Sequence, residues 1–256
     1  MKRKSLNTLW GRNHSIINGW LSIPSSFVAE SMALLDYDSI TIDLQHGMID
    51  YQTMIGMLQA ISTTETVPIV RVPWLDPGLI MKVLDAGAYG IICPMINTKQ
   101  DAENFVAFTT YAPAGKRSYG PIRAQLYGGQ DYWEKANETI TRFAMIETRE
   151  ALENLEAILT VKGLDAVYVG PSDLALSLGS KPGFDDLEAH VQAAVARIAI
   201  SAKKAGVRAG IHCGSVDSAM SRLHLGFDFV TIGSDSRYMA SAANGALIDI
   251  RSRLNK

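Results

Sequence analysis

The sequence predicts an α/β fold, a (β/α)₈ barrel that occupies residues 1–256 as one domain. A length of 256 residues suits one such barrel. Short apolar runs alternate with longer amphipathic stretches, the pattern of repeated βα units on a parallel sheet. No linker-like or low-complexity segment divides the chain. A doubly wound open sheet is the competing fold, but the chain has eight strand-like runs and lacks the glycine-rich GxGxxG turn of that fold.

Taken in order, strands are expected at Gly19–Ile23, Ser39–Asp43, Pro68–Val72, Gly90–Pro94, Arg142–Ile146, Ala166–Val169, Arg208–His212 and Phe229–Ile232. Between them, helices are expected at Tyr51–Ser62, Gly78–Ala86, Lys99–Thr110, Glu150–Leu159, Leu187–Ala205 and Val216–Leu225. Gly87, Gly206 and Gly226 each follow a helical stretch, where a left-handed cap is wanted. Pro77 sits where the first turn of its helix begins, a position that does not need its missing N–H. Tyr111–Asn137 is the longest region without a clear period and contains Trp133, four glycines and two prolines. Irregular segments of that length inside a compact domain are usually functional.

Apolar residues make up 47% of the chain, charged residues 20%, and the net charge is −2. Acids and bases are mixed along the sequence, so no basic face points to nucleic acid. Cys93 and Cys213 close apolar runs and read as buried free thiols in a reducing compartment. The basic start Met-Lys-Arg-Lys is followed by no apolar core of a signal peptide, and no run is long enough to cross a membrane. A cytoplasmic location is the expectation.

In a (β/α)₈ barrel the loops after the strands converge on one face, so chemistry is sought at strand ends. Those ends carry Asp43 and His46, Arg71, Glu147, and Gly170-Pro171-Ser172-Asp173. Each has a plain structural use: a strand-end arginine pairs an acid, and Asp173 or Glu147 caps a helix. Independent structural uses need not collect on one rim, however. Two carboxylates without a Cys/His ligand cluster suit a hard cation such as Mg²⁺ or Mn²⁺, held by few protein oxygens. Such a site leaves room for a bidentate 2-oxo acid, with Arg71 near a developing enolate and a histidine as base. No predicted strand contains a lysine; Lys82, Lys99 and Lys162 fall elsewhere, which disfavours a Schiff base.

At these residues the chain resembles the HpcH/HpaI aldolase family. The motifs are Asp43-Leu44-Gln45-His46, Pro68-Ile69-Val70-Arg71, Leu84-Asp85-Ala86-Gly87-Ala88-Tyr89-Gly90, Ile146-Glu147-Thr148 and Gly170-Pro171-Ser172-Asp173-Leu174. The resemblance runs from Gly19-Trp20-Leu21 to Phe229-Val230-Thr231. It implies a class II aldolase that cleaves 4-hydroxy-2-oxo acids to pyruvate or hydroxypyruvate and an aldehyde. It also implies a homo-trimer or homo-hexamer with the C-terminal helix exchanged between subunits. Glu147 and Asp173 match the holders of a divalent metal (Mg²⁺, Mn²⁺ or Co²⁺), His46 the base, and Arg71 the group that steadies the keto oxygen. Asp43 and Asp85 match acids that support the histidine and a catalytic water. Trp20 and the backbone of Gly170, Pro171 and Ser172 match the lining of the keto-acid pocket. The Arg117–Arg123 loop, and Arg123 within it, matches the loop that reaches toward the acceptor.

Three positions depart from the family pattern. Gln45 replaces a frequent glutamate, Met145 a frequent glutamine, and His212 an aliphatic or aromatic side chain facing the acceptor. His212 also has a purely structural reading as a satisfied strand-end histidine. Two rival functions remain at this point: a citryl- or malyl-CoA lyase using the same enolate, and a catalytically silent barrel that serves as a binding module.

Overall fold

A computed structural model of the chain describes residues 5–12 and 14–254. Eight parallel strands close into a barrel in sequence order. They are β1 (Ile16–Leu21), β2 (Ser39–Asp43), β3 (Val67–Arg71), β4 (Gly90–Cys93), β5 (Thr141–Ile146), β6 (Ala166–Val169), β7 (Arg208–Cys213) and β8 (Phe229–Ile232). Closure is made by β1 against β8, with Ile16 opposite Phe229.

The side-chain period of two sorts each strand into an inner and an outer row. Ala144, Ile146, Val167, Val169, Ile211 and Val230 face outward and pack with the helices in one large apolar cluster. Phe143, Met145, Ala166, Tyr168, Phe229, Ile69 and Trp20 form a second cluster inside the barrel. Phe143 anchors it, with ring centroids 4.9 Å from Phe229 and 6.0 Å from Trp10. Gly210 opposes Tyr168, and a Cβ there would lie 2.8 Å from the Tyr168 ring. The inner row of β2 reads Ser39, Thr41, Asp43, since Ile40 and Ile42 belong to the outer cluster. Period and register thus deliver Trp20, Asp43, Arg71, Met145 and His212 to the top of the interior, where the strands end.

The expected strands are all present, most within a residue of their predicted bounds. The first is displaced: the sequence points to Gly19–Ile23, whereas β1 starts at Ile16. Ile16 and Ile17 pair with Phe229 and Val230, and Ser22 and Ile23 are instead held by the Asp235 carboxylate. The helix expected at Glu150–Leu159 is broken into Arg149–Glu153 and Leu155–Leu159, and the Asn154 side chain at the break donates to the Asn97 carbonyl at 2.9 Å. The region 111–137 is not wholly irregular, since it contains the short helix Ala124–Gly128 and the start of Tyr132–Thr139. Gly87, Gly206 and Gly226 have φ of +104°, +73° and +104°, the left-handed geometry expected after their helices.

The chain closes on a 20-residue helix, Asp235–Leu254. Beyond its first turn this helix is exposed, including Met239, Leu247, Ile248, Ile250 and Leu254. Among the described residues no helix is long and apolar enough to cross a membrane. Cys93 and Cys213 are buried free thiols, as expected.

Candidate active site

Asp43, at the end of β2, is 2% exposed and organises its surroundings through both oxygens. Arg71, beside it on β3, donates from Nε to Oδ1 at 2.8 Å and from Nη2 to Oδ2 at 2.5 Å. Such a two-point clamp fixes the guanidinium plane. Trp20 donates from Nε1 to Oδ2 at 3.2 Å, and its ring lies 4.7 Å from the Arg71 guanidinium carbon. Oδ1 also accepts the backbone N–H groups of Gln45 and His46 at 3.0 and 3.2 Å. Burial raises the Asp43 pKa, but the bonds and charge of Arg71 and the two loop amides outweigh it, leaving the group below the ordinary carboxylate value. Asp43 therefore stays ionised, holds the His46 backbone rather than its ring, and leaves Arg71 Nη1 uncommitted among the described residues.

Glu147 follows β5 and is 2% exposed. It caps no helix; Thr148 is the cap of Arg149–Glu153. Its Oε1 accepts the Met95 N–H at 2.8 Å, which Met95 presents from a left-handed φ of 56°. Its Oε2 runs against Gly170, where an added Cβ would lie 2.5 Å away. Burial raises the Glu147 pKa, the Met95 N–H opposes that, and the Asp173 charge adds to it, so that the carboxyl is pushed up to about 7. Asp173 occupies the first turn of Pro171–Ser177, yet Gly170 is the cap residue and no side chain caps this helix. Two neighbouring carboxylates, one buried and one making no hydrogen bond among the described residues, form an electron-rich pocket that the charge of Arg71 offsets only in part. That is the donor set a small divalent ion fits.

A cavity of about 350 Å³ opens over these groups and is lined by Trp20, Asp43, His46, Arg71, Met145, Gly170, Pro171, Ser172, Asp173 and His212. The His46 ring makes no hydrogen bond among the described residues and is exposed at the cavity edge. His212 packs between Trp20, at 5.1 Å, and Phe184, at 4.9 Å, with Nδ1 3.4 Å from the Tyr168 hydroxyl. Burial, then the charges of Arg71 and Arg237, push its pKa down to about 3, so its ring is neutral. Beneath it Tyr168, Thr231, Asn18, Ser39 and Thr41 form a buried hydrogen-bonded chain.

Three predicted site residues are not among those that line the cavity: Glu147 is buried against Gly170 of its wall, and two lie elsewhere. Asp85 ends the Pro77–Asp85 helix and pairs with Arg117 at 2.8 Å. Arg123 binds the Ala86 carbonyl at 2.5 Å and the Tyr127 hydroxyl at 3.1 Å. Neither lines the cavity of its own chain. Conversely, the cavity includes Ser22, Tyr168, Phe184, Ser234, Ser236 and Arg237, which the motif reading did not single out. Ser234, Ser236 and Arg237 follow β8, and reading that last strand end by the same rule would have reached them.

The barrel carries acids, an arginine and a histidine around one cavity at the carboxyl ends of its strands, the arrangement of a (β/α)₈ enzyme. The chain belongs to the HpcH/HpaI aldolase/citrate lyase family, whose profile matches residues 18–242. It is accordingly a carbon–carbon lyase. It is 46% identical to the hydroxypyruvate/pyruvate aldolase of Rhizorhabdus wittichii over 246 residues, covering 96% of this chain and 98% of that protein. It is 37% identical to the 4-hydroxy-2-oxo-heptane-1,7-dioate aldolase of Salmonella dublin over 229 residues, covering 88% and 86%. The crystal structure of a HpcH/HpaI aldolase/citrate lyase family protein from Burkholderia cenocepacia superposes with a TM-score of 0.87 at 32% identity, covering 93% and 95%.

Proposed function

We propose that the protein is a divalent-metal-dependent class II aldolase that cleaves 4-hydroxy-2-oxo acids to pyruvate or hydroxypyruvate and an aldehyde, and joins them in reverse. The observation that carries this reading is the cavity that joins the clamped Arg71 to Asp173, with the buried Glu147 carboxylate against Gly170 of its wall. The names of the relatives from Rhizorhabdus wittichii and Salmonella dublin agree with it. No lysine is among the residues lining the cavity, which agrees with a route other than a Schiff base.

Glu147 and Asp173 would hold Mg²⁺, Mn²⁺ or Co²⁺. A bound ion of this kind supplies Lewis acidity at the keto oxygen and anchors the 2-oxo acid. Trp20 and the Gly170-Pro171-Ser172 backbone shape the wall against which the 2-oxo acid lies. His46, through a water, takes the proton of the C4 hydroxyl. The C3–C4 bond then breaks, its electron pair moves into the enolate of the 2-oxo acid, and the aldehyde leaves. Arg71 Nη1 donates toward the enolate oxygen, and Asp43 keeps that donor in place. Proton return to C3 completes the reaction.

Asp85 and Arg123 fit this scheme as contributions to a neighbouring subunit in a homo-trimer or homo-hexamer, since each lies outside its own cavity. Exchange of the exposed Asp235–Leu254 helix between subunits would cover its apolar side chains. The reactants are small molecules, and a cytoplasmic setting agrees with the two free thiols. A panel of aldehydes offered with pyruvate and with hydroxypyruvate tests the proposal. Metal-stimulated carbon–carbon bond formation with at least one pair is the expected result. Its absence with every pair, from a folded and metal-loaded protein, would reject it.

A further inference from the structure

Arg237 stands in the first turn of the Asp235–Leu254 helix and lines the cavity. The residue is exposed, and two features leave its charge without compensation from the protein. The positive end of a helix disfavours a cation in its first turn, by a few tenths to about 1 kcal/mol at exposed sites. Among the described residues no carboxylate lies within ion-pair distance of its guanidinium. Arg71, the other arginine of the cavity, is by contrast neutralised by Asp43. The nearby acids are committed to backbone amides. Asp235 accepts from Ser22, Ile23 and Ser236, and Asp185 accepts from Gly214.

The side chain nevertheless has a defined seat. Its guanidinium carbon lies 4.6 Å from the centre of the Phe184 ring, and the same ring packs on His212. Phe184 is itself held from both flanks: Ser172 Oγ donates to the Gly183 carbonyl at 3.1 Å, and Asp185 takes the Gly214 N–H at 2.8 Å. Stacking on an aromatic face leaves the edge donors of a guanidinium available, and those donors match carboxylate and phosphate oxygens.

We infer that Arg237, seated on Phe184, is a specificity-determining residue that binds an anionic group, carboxylate or phosphate, carried by the acceptor aldehyde. The inference rests on the aldolase reading above and adds the charge of the second substrate. Arg71 is assigned to the donor 2-oxo acid, which leaves Arg237 as the second cation of the cavity for the other partner.

The test compares kcat/KM for aldol addition to pyruvate by the metal-loaded enzyme, using two matched pairs of acceptors. Succinic semialdehyde against its methyl ester reads a carboxylate; glyceraldehyde 3-phosphate against glyceraldehyde reads a phosphate. The wild type should favour the charged member of at least one pair. Arg237→Gln should lower that preference by about 10–100-fold, chiefly through KM, as expected for losing a charge-assisted bond. Arg237→Lys should restore part of it, and Arg237→Glu should reverse it. The pair that responds identifies the anion. No charge preference in the wild type, or equal losses on both members of each pair, would overturn the inference. Oxaloacetate decarboxylation, which needs no acceptor, separates the two levels of the account. If it proceeds without any charge preference in addition, only this inference fails; if it and every addition are absent, the aldolase reading fails as well.

Discussion

Gly170→Ala tests the acid pair without touching either acid. The backbone there, with φ −93° and ψ 91°, suits any residue, so the perturbation is steric alone. The new methyl would sit 2.5 Å from Glu147 Oε2, 3.0 Å from Met145 Cε and 3.3 Å from Glu147 Cβ. The methionine end is flexible and gives way, but Oε2 must retreat by nearly 1 Å to restore a van der Waals distance. Glu147 Oε1 is meanwhile tied to the Met95 N–H, so the carboxylate turns about that bond rather than sliding as a whole. Displacing one of two protein ligands should weaken divalent-ion binding by about 10–100-fold, the range found when the support of a metal ligand is lost. Titration calorimetry with Mn²⁺, beside a thermal melt, measures both consequences. Glu147→Asp shortens the side chain and should make the alanine cheaper, so the double variant should lose less affinity than the sum of the singles. Unchanged Mn²⁺ affinity in a folded Gly170→Ala protein would refute the placement of the ion between Glu147 and Asp173.

Arg71→Ala should cut kcat by about 10²–10³. It also leaves the buried Asp43 without its partner, which costs about 3–5 kcal/mol and should appear as a lower melting temperature; near-normal kcat in the folded variant would reject the role of Arg71. His46→Ala should slow aldol cleavage by about 10²–10⁴-fold but oxaloacetate decarboxylation far less, because only cleavage needs a base at the C4 hydroxyl; equal losses in both would show that His46 acts elsewhere. His212 is held at about 3, against about 6.5 in an unfolded chain. Below pH 6.5 the unfolded state therefore binds a proton that the folded state refuses, and stability falls as pH drops from 6.5 toward 3. Between pH 6.5 and 5 this amounts to at most about 2 kcal/mol. Denaturant midpoints at pH 7 and 5 should converge less for wild type than for His212→Phe, and identical acid losses in the two proteins would refute the neutral, buried ring.

The barrel was legible because its signal is local and repeated: apolar runs at a strand period, amphipathic stretches between them, and glycines at helix ends. The strand-end rule found Asp43, Arg71 and Asp173, which line one cavity, and Glu147, which is buried against Gly170 of its wall. The strand reading was displaced at β1, where Asn18 and Gly19 interrupt the apolar run and only the pairing with β8 fixes the start. Phe184 was illegible because it reaches the site from the long connection after β6, and nothing local marks a loop residue that packs back on a strand end. The partner of Asp43 was legible only in part. An Asp-x-x-His spacing suggests an acid orienting an imidazole, yet the carboxylate takes the loop amides and Arg71 instead. Asp85 and Arg123 were read as site residues from motifs, and the fold of one chain places them in a separate network with Arg117 and Tyr127.

The central claim, an enolate of a 2-oxo acid formed between the acid pair and Arg71, is tested most directly by exchange of the pyruvate methyl protons in deuterated water, followed by proton NMR. The account predicts rapid loss of the methyl signal with Mn²⁺-loaded protein, and loss of that exchange on chelation, with Glu147→Ala or with Arg71→Ala. Full-rate exchange by exhaustively chelated protein, or by either variant, would contradict it.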